Sequence, residues 1–305
     1  MSNDYRGDQE WLVEGNVSGS GTVLVDSTHA SRTATMKMGA TGSLGSDVHV
    51  SVGPNADFGS DQSFFDMNSQ GNVTIGKLSG RGTVYTRGDT LTVSSLSPSA
   101  MHTSTLKGLE IQGGSGALVL DSGGTHIFKI VRTGYDVGSD EVNVTSGASV
   151  TLGGAVVIDL AGGLADMEPG LTIRDENLIN CGAGLGGTTF DAVGWVNSGI
   201  WGYEITYDDG AGTVNLITHV AGDVTGDDKV DGQDLTALAA NWDQSGVGWA
   251  GGDLNQDGSV NGLDLTLLAA NWDNQWTPPA GIPEPATLAL LSLGGAALLR
   301  RRRRS

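Results

Sequence analysis

The 305-residue chain has little of what most enzymes and disulfide-rich proteins need. Cys181 is its single cysteine, which excludes an intramolecular disulfide and a cysteine metal site. A buried free thiol is the expected state of such a residue. Aromatic residues make up 6% and charged residues 17%, whereas glycine is abundant with 49 residues. Since about a quarter of the residues of an average protein are charged, this composition is more typical of a Gly-rich extracellular β protein than of a cytosolic enzyme.

Positive charge is scarce and unevenly placed. The formal net charge is −19, and five of the 16 basic residues lie in 300–304. Residues 1–299 therefore hold 11 basic residues against all 35 acidic ones. A body this acidic repels nucleic acid and anionic surfaces and favours divalent cations. We predict no nucleic-acid partner.

Catalytic motifs are missing from the sequence as well. It has no Gly-x-Ser-x-Gly elbow, no phosphate-binding loop and no His-Glu-x-x-His helix. The five histidines are scattered without metal-ligand spacing: His29, His49, His102, His126 and His219. We therefore nominate no catalytic residue and predict that the chain is not an enzyme. A carboxylate pair for polysaccharide hydrolysis stays open in so acidic a chain.

Residues 1–220 carry the pattern of many short strands. Apolar residues alternate with polar ones and are broken by Gly, Ser and Asn, as where Val48, Val50 and Val52 alternate with His49 and Ser51. A short strand cannot bury its apolar face alone, but stacked rungs can do so together. We predict a mainly β fold with a β-solenoid-like body, and a β-sandwich is the alternative.

The segment 190–217 differs from the rest of this body. A turn at 208–212 separates two apolar stretches, which predicts a hairpin with an aromatic face. The residues of that hairpin core are Trp201, Tyr203, Ile205, Tyr207, Val214 and Leu216. We interpret the hairpin as the cap on the open end of the body. A sugar-binding aromatic surface is the alternative.

Gly-rich stretches in residues 15–218, such as "GSGTV", "GRGTV" and "YDDGAGTVNLI", carry a diffuse resemblance. They resemble passenger-like β-strand repeat proteins related to autotransporter-associated repeats. The resemblance implies a repetitive β body and brings no catalytic residue.

Two acidic loops, which we name loop one (223–234) and loop two (253–264), follow the body thirty residues apart. Calcium takes six to eight oxygen ligands, and a 12-residue loop supplies them at positions 1, 3, 5, 7, 9 and 12. In loop one these positions are Asp223, Thr225, Asp227, Lys229, Asp231 and Asp234. In loop two they are Asp253, Asn255, Asp257, Ser259, Asn261 and Asp264. Position 7 needs only its backbone carbonyl, so Lys229 and Ser259 fit. We predict two EF-hand-like sites that hold two calcium ions.

A short helix with one apolar stripe is predicted after each loop, and with calcium bound the two stripes are expected to pack together as a pseudo-symmetric pair. The two stripes are Leu235, Leu238, Ala239 and Trp242, then Leu265, Leu268, Ala269 and Trp272. Loop and helix repeated twice, without an entering helix and with Asp at position 12, resemble a type I dockerin over residues 221–274. The resemblance implies calcium binding and docking onto a cohesin of another protein. The family's recognition positions 10 and 11, often a Ser-Thr type pair, are here Gly232-Gln233 and Gly262-Leu263.

The two loops differ at position 6, where a sharp turn requires a positive φ. Gly258 meets this requirement, while loop one has Asp228. We predict better geometry in loop two and weaker calcium binding in loop one. Without calcium, nine aspartates between Asp223 and Asp264 repel one another in a segment too short for a robust core. Folding of residues 221–274 should therefore depend on calcium.

The C-terminal tail begins with a proline-rich linker at 275–281. The apolar stretch 286–299 would span roughly 21 Å as a helix, less than a ~30 Å hydrocarbon core, but five arginines follow it. We predict a single short transmembrane helix there.

Residues 282–305 resemble the PEP-CTERM sorting signal. The matching residues are Pro283, Glu284, Pro285, Arg300, Arg301, Arg302, Arg303 and Arg304. The resemblance implies recognition of the Pro-Glu-Pro motif by an exosortase, with membrane attachment through the helix before processing. It also implies an exported body in the cell envelope, at the cell surface or in the extracellular matrix.

Export raises an expectation about the N-terminus, because "MSNDYRGDQEWLVEG" has neither a basic nor an apolar signal region. We expect this sequence to be the later part of a longer chain. The predicted function is a secreted structural or adhesive protein whose calcium module joins it to a cohesin-like domain or an extracellular polysaccharide. The alternative is a non-catalytic remnant, or a part, of a polysaccharide-degrading glycoside hydrolase or lyase.

Overall fold

A computed structural model describes residues 8–26, 33–53, 63–98, 108–133, 136–145, 147–161, 177–196 and 200–276. The fold is mainly β, with two short helices near the C-terminus, as predicted. The strands of the first half are β1 Gln9–Val13, β2 Asn16–Val17, β3 Thr22–Val25, β4 Ala34–Met38, β5 Ser43–Leu44, β6 His49–Val52, β7 Ser63–Asp66, β8 Val73–Gly80, β9 Thr83–Tyr85 and β10 Thr90–Pro98. Those of the second half are β11 Leu109–Gln112, β12 Ala117–Leu120, β13 Thr125–Thr133, β14 Asp136–Ser139, β15 Val142–Thr145, β16 Ser149–Thr151, β17 Ala155–Ala161, β18 Ile179–Cys181, β19 Ala192–Val196, β20 Trp201–Asp208 and β21 Thr213–Val220. The helices are α1 Gly232–Ala240 and α2 Gly262–Ala270.

Most strand pairs in the body are parallel and join segments far apart in sequence. A nine-stranded sheet has the order β1-β4-β7-β9-β11-β15-β18-β21-β20, and a six-stranded sheet has the order β16-β12-β10-β8-β6-β3. In the second sheet Thr22 pairs with His49, and His49 pairs with Lys77. A four-stranded sheet, β14-β13-β17-β19, and the short pair β2-β5 complete the described strands. The chain therefore leaves a sheet after one strand and later returns to it to form the neighbouring strand in the same direction.

The core lies inside these sheets and is filled by every second side chain. The parallel register places apolar residues over apolar residues, as where Leu78 lies beside Leu96 and Ile75 beside Val93. All four side chains are fully buried. Each such residue stabilises the fold by about 1.5–3 kcal/mol through loss of water contact. Cys181 is also buried and free, as predicted, and its thiol donates to the carbonyl of Ala148.

One position in the predicted alternation is wrong. Ser51 was expected to face water, but it is buried. Its hydroxyl accepts a hydrogen bond from the Ser79 hydroxyl at 3.0 Å, and Ser79 also contacts the His49 ring at 2.8 Å. Neighbouring strands thus supply the partners that a buried hydroxyl needs. The two-residue alternation of the sequence cannot show this, because the hydrogen-bond partner lies on the neighbouring strand β8, which is distant in sequence.

The predicted hairpin is present as the antiparallel pair β20–β21 at the end of the nine-stranded sheet. Trp201 and Tyr203 are buried, so their rings pack in the core and are not available to a sugar. The Tyr207 hydroxyl accepts a hydrogen bond from the backbone N–H of Phe190 at 3.1 Å. The aromatic face therefore holds the end of the body together.

Asp140 is a buried carboxyl that makes the body sensitive to pH. Its Oδ2 accepts a hydrogen bond from the Lys129 N–H at 2.8 Å, and Oδ1 has no partner among the described residues. Burial, with a smaller contribution from the charge of Asp159, raises the pKa of Asp140 to about 7. As the pH rises, the unfolded chain releases this proton at its ordinary pKa of about 3.9. The native state keeps the proton up to a pH of about 7. The resulting stability is complete below pH ~4 and is lost as the pH rises through 7.

We expect Asp140→Asn to reduce this loss. The free energy of unfolding of the unmodified chain should fall between pH 4.5 and pH 8. This fall should exceed that of Asp140→Asn by on the order of 3 kcal/mol. Denaturant titrations at the two pH values measure the difference. Asp159→Asn serves as the control, because it removes a charge nearby and leaves the buried carboxyl in place. Parallel pH profiles for the unmodified chain and Asp140→Asn would contradict the assignment.

No helix in the described ranges is long and apolar enough to span a membrane. The predicted transmembrane helix at 286–299 and the sorting residues lie outside the described residues.

Candidate metal centre

Each acidic loop runs directly into its helix through a capping box. The N-cap residues Asp231 and Asn261 accept from the backbone N–H two residues later, at 2.8 Å in both loops. In return, Asp234 and Asp264 accept from the N-cap N–H groups, also at 2.8 Å. These four residues are predicted ligand positions 9 and 12. The same side chains therefore begin the helix and close the loop, which satisfies the first free N–H groups of the helix.

The predicted apolar stripes on the helices are only partly buried, which corrects the sequence prediction. Leu238 and Leu268 are buried, but Trp242 and Trp272 are each 44% exposed. Leu235 and Leu265 are also exposed, as are Ala239 and Ala269. The core between the two loop–helix units is completed instead by apolar residues within the loops: Val224, Val230, Leu254 and Val260. Each nine-residue helix therefore buries one apolar side chain, in addition to the buried aspartate at position 12 of its loop.

In loop one the structure brings predicted positions 1, 5 and 12 together. Carboxylate oxygens of Asp223, Asp227 and Asp234 lie within 4.8 Å of one another. Asp223 is held by the backbone N–H of Gly226 at 2.6 Å and of Asp228 at 2.8 Å. Asp223 Oδ2 accepts one of these two hydrogen bonds, that from Asp228, so it keeps a lone pair for a cation. Burial raises the pKa of Asp223 despite them.

Asp234 is the buried end of loop one. Its Oδ1 accepts from the N–H groups of Val224 at 2.9 Å and Thr225 at 3.0 Å, and also from the Thr225 hydroxyl at 3.0 Å. The predicted ligand Thr225 is therefore bound to the position 12 carboxylate. The hydrogen bonds fix this carboxylate at the base of the loop, opposite Asp223.

Loop two has the donor chemistry that indicates a cation site most clearly. Asp253 is buried, and its Oδ2 accepts from the Gly258 N–H at 3.0 Å. Its Oδ1 is also buried and has no hydrogen-bond partner in the described part of the chain. Burial, followed by the charge of Asp264, raises the pKa of Asp253 to about 6. A buried carboxylate oxygen without a donor is unfavourable unless a cation contacts it.

The remaining predicted ligands of loop two lie near this carboxylate but bond to each other. The Asn255 amide donates to Asp257 Oδ2 at 3.0 Å, and its oxygen accepts from the Asp257 N–H at 3.1 Å. Among the described residues, the close three-carboxylate cluster is in loop one and not in loop two. The predicted advantage of loop two concerns the backbone turn at position 6, whereas the side-chain carboxylates cluster more closely in loop one. The Ser259 N–H, and the Lys229 N–H in loop one, bond to the position 5 carboxylates.

The backbone at position 6 has the conformation predicted from the sequence. Asp228 has a φ of 66° and Gly258 a φ of 88°. A side chain in the left-handed region costs on the order of 1 kcal/mol. The strain expected in loop one is thus present.

We expect Asp228→Gly to tighten calcium binding by loop one by about fivefold, because it removes this strain. Isothermal titration calorimetry measures the change. Asp228→Asn is the control, since it removes the same charge but keeps a side chain at positive φ. An affinity that is unchanged in Asp228→Gly, or that changes equally in both variants, would contradict the strain argument.

Two residues assigned to the linker belong to this module. Gln275 forms a bridge with Lys229, and the Trp276 N–H donates to the Asp228 carbonyl at 2.9 Å. The equivalent bridge on the other unit joins Ser245 and Ser259. Residues 221–276, which we name the module, are thus a pair of similar loop–helix units.

Comparison with known proteins agrees with both motifs. Residues 221–271 match the family model of the dockerin type I domain, and residues 281–304 match that of the PEP-CTERM protein-sorting motif. No curated protein and no solved structure matches the chain. Dockerin domains bind calcium and typically bind cohesin, and PEP-CTERM proteins are processed by exosortase.

The chain therefore carries a dockerin module and a sorting motif. It is an exported protein of the cell envelope or surface. The resemblance of the body to autotransporter-associated repeats stays a prediction.

Proposed function

We propose that the chain is a secreted structural or adhesive protein whose β-solenoid body presents a calcium-binding docking module at the cell envelope. The body spans residues 1–220, the module follows it, and the sorting tail directs export. The proposal includes no catalytic step. Its strongest support is the module, where a buried carboxylate oxygen of Asp253 has no partner among the described residues and both acidic loops end in the same capping box.

Parallel pairing supports a solenoid over a sandwich. A β-sandwich is built mostly from antiparallel strands joined by hairpins and Greek-key connections. Here β3, β6, β8, β10, β12 and β16 are paired in parallel, and so are the first seven strands of the larger sheet. Parallel neighbours require a long return connection. Stacked circuits of the chain provide that connection and share one core.

Two calcium ions fit the donor sets of the module. Loop one offers Asp223, Asp227 and Asp234, and loop two offers Asp253, Asp257 and Asp264. When bound, each ion would supply positive charge that the buried carboxylates otherwise lack. The side chains of Thr225, Asp231, Asn255 and Asn261 and the carbonyls of Lys229 and Ser259 would complete the oxygen set.

The module gives the protein a means of attachment. Apolar side chains remain exposed on it, including Leu263 at 60% and Trp242 and Trp272 at 44%. A cohesin-like domain or an extracellular polysaccharide is the proposed partner. Before exosortase processing, the apolar stretch 286–299, which the sequence predicts to be a helix, would anchor the chain in the membrane.

Calcium titration of the purified chain tests the module. Isothermal titration calorimetry should show two sites, and Asp253→Asn should abolish one of them. A stoichiometry of zero would refute the calcium assignment.

Polysaccharide screens test the alternative function. Turnover of any polysaccharide by the purified chain would replace the structural role with an enzymatic one.

A further inference from the structure

Loop two contacts the body through a side chain that the calcium pattern does not require. Gln256, at position 4, donates from Nε2 to the Tyr203 carbonyl at 2.8 Å and accepts at Oε1 from the Ile205 N–H at 2.8 Å. Tyr203 and Ile205 are alternate residues of β20, the edge strand of the nine-stranded sheet. The Gln256 amide thus pairs with the free edge as another strand would.

The same loop also covers a second sheet edge. The Val193 N–H donates to the Asn255 carbonyl at 3.0 Å. Val193 lies on β19, which is the edge strand of the four-stranded sheet. Adjacent residues of loop two therefore bond to the edges of two different sheets. Uncovered edges of this kind readily pair with other chains.

Backbone strain indicates that this contact has a role. Gln256 has a φ of 53°, in the left-handed region that disfavours side chains. Its counterpart in loop one is Gly226, with a φ of 76° and open space around it. Glycine would serve the loop turn with less strain, so the glutamine side chain must offset its own strain. The two hydrogen bonds to β20 provide that offset.

Trp249 fixes the same end of the body from the side. Its ring is stacked on His219 of β21 at 4.7 Å and lies 5.7 Å from Trp195 of β19. Its Nε1 donates to the Asp223 carbonyl at 2.7 Å. One buried side chain thus contacts two strands of the body and the first residue of loop one.

We propose that the module is the C-terminal cap of the body, and that calcium binding in loop two is coupled to closure of the β19 and β20 edges through Asn255 and Gln256. Both residues lie between the ligands Asp253 and Asp257, so the loop conformation that binds the ion also positions the cap. The hairpin alone leaves β20 as an edge. This inference rests on the calcium sites of the proposed function.

Hydrogen–deuterium exchange of the full chain tests the coupling. Calcium should slow exchange of the Ile205 and Val193 amides by about tenfold relative to a chelated sample. Gln256→Gly should retain calcium binding by calorimetry, because it restores the residue found in loop one. It should nevertheless lose the calcium-dependent protection of Ile205.

Asp243→Gly is the matched control. Asp243 is exposed in the same module and has a φ of 61°, so its replacement relieves similar strain without touching the body. Protection of Ile205 should remain. Calcium binding without added protection in the unmodified chain, or full protection in Gln256→Gly, would overturn the cap and leave the calcium sites standing. Absence of calcium binding would refute both the proposed coupling and the calcium sites.

Discussion

Chelation of calcium will unfold the module while most of the β body stays folded. The module has few deeply buried apolar side chains, and its two helices have nine residues each. Ten aspartates crowd the same segment. At a free calcium concentration of 100 times the dissociation constant, each site adds about 2.7 kcal/mol, so two sites add about 5 kcal/mol. That is comparable with the whole stability of a small domain.

Differential scanning calorimetry with calcium and with a chelator measures this effect. Two transitions are expected, one for the body and one for the module. Circular dichroism identifies the transition of the module by its loss of helical signal. Only this transition should move to lower temperature on chelation. Asp223→Asn combined with Asp253→Asn should melt like the chelated sample even in calcium. Asp243→Asn removes an exposed acidic charge outside the ligand positions and should melt like the unmodified chain. Identical melting with and without calcium would contradict the prediction.

The body was predictable where its signal is local. In β21 the residues Val214, Leu216 and Val220 are buried on alternate positions, as a period of two requires. The 12-residue spacing likewise predicted the loops, and Asp228 adopts the expected positive φ. These features depend on neighbours along the chain, which a sequence displays directly.

Features that depend on distant segments could not be predicted. Ser51 can be buried because Ser79, on the neighbouring strand β8, supplies its hydrogen bond. Trp272 is exposed because loop residues fill the core that its helix was expected to fill. The role of Gln256 depends on strand β20, which lies some fifty residues earlier in the sequence. The only local sign was a glutamine at the position where loop one has Gly226.

Trp249→Ala will cost the protein about 3–5 kcal/mol, the largest effect expected of any single side chain at the junction. The ring is only 2% exposed and packs on His219 and Trp195. Its removal leaves a cavity and deprives the Asp223 carbonyl of its indole donor. Because that carbonyl belongs to the first residue of loop one, calcium binding there should weaken as well. Urea titration in saturating calcium measures the free energy of unfolding.

Two comparisons separate the contributions of this ring. Trp249→Phe keeps most of the packing and loses the hydrogen bond. It should therefore lower the free energy of unfolding less than Trp249→Ala does. About 1 kcal/mol of that decrease should come from the lost hydrogen bond. Trp242→Ala removes an indole that is 44% exposed and should change stability far less. An equal effect of Trp242→Ala and Trp249→Ala would mean that the junction does not hold the module on the body. A large effect confined to Trp249 would instead make the docking module an integral part of the fold, because its anchor lies between the body strands and the first calcium loop.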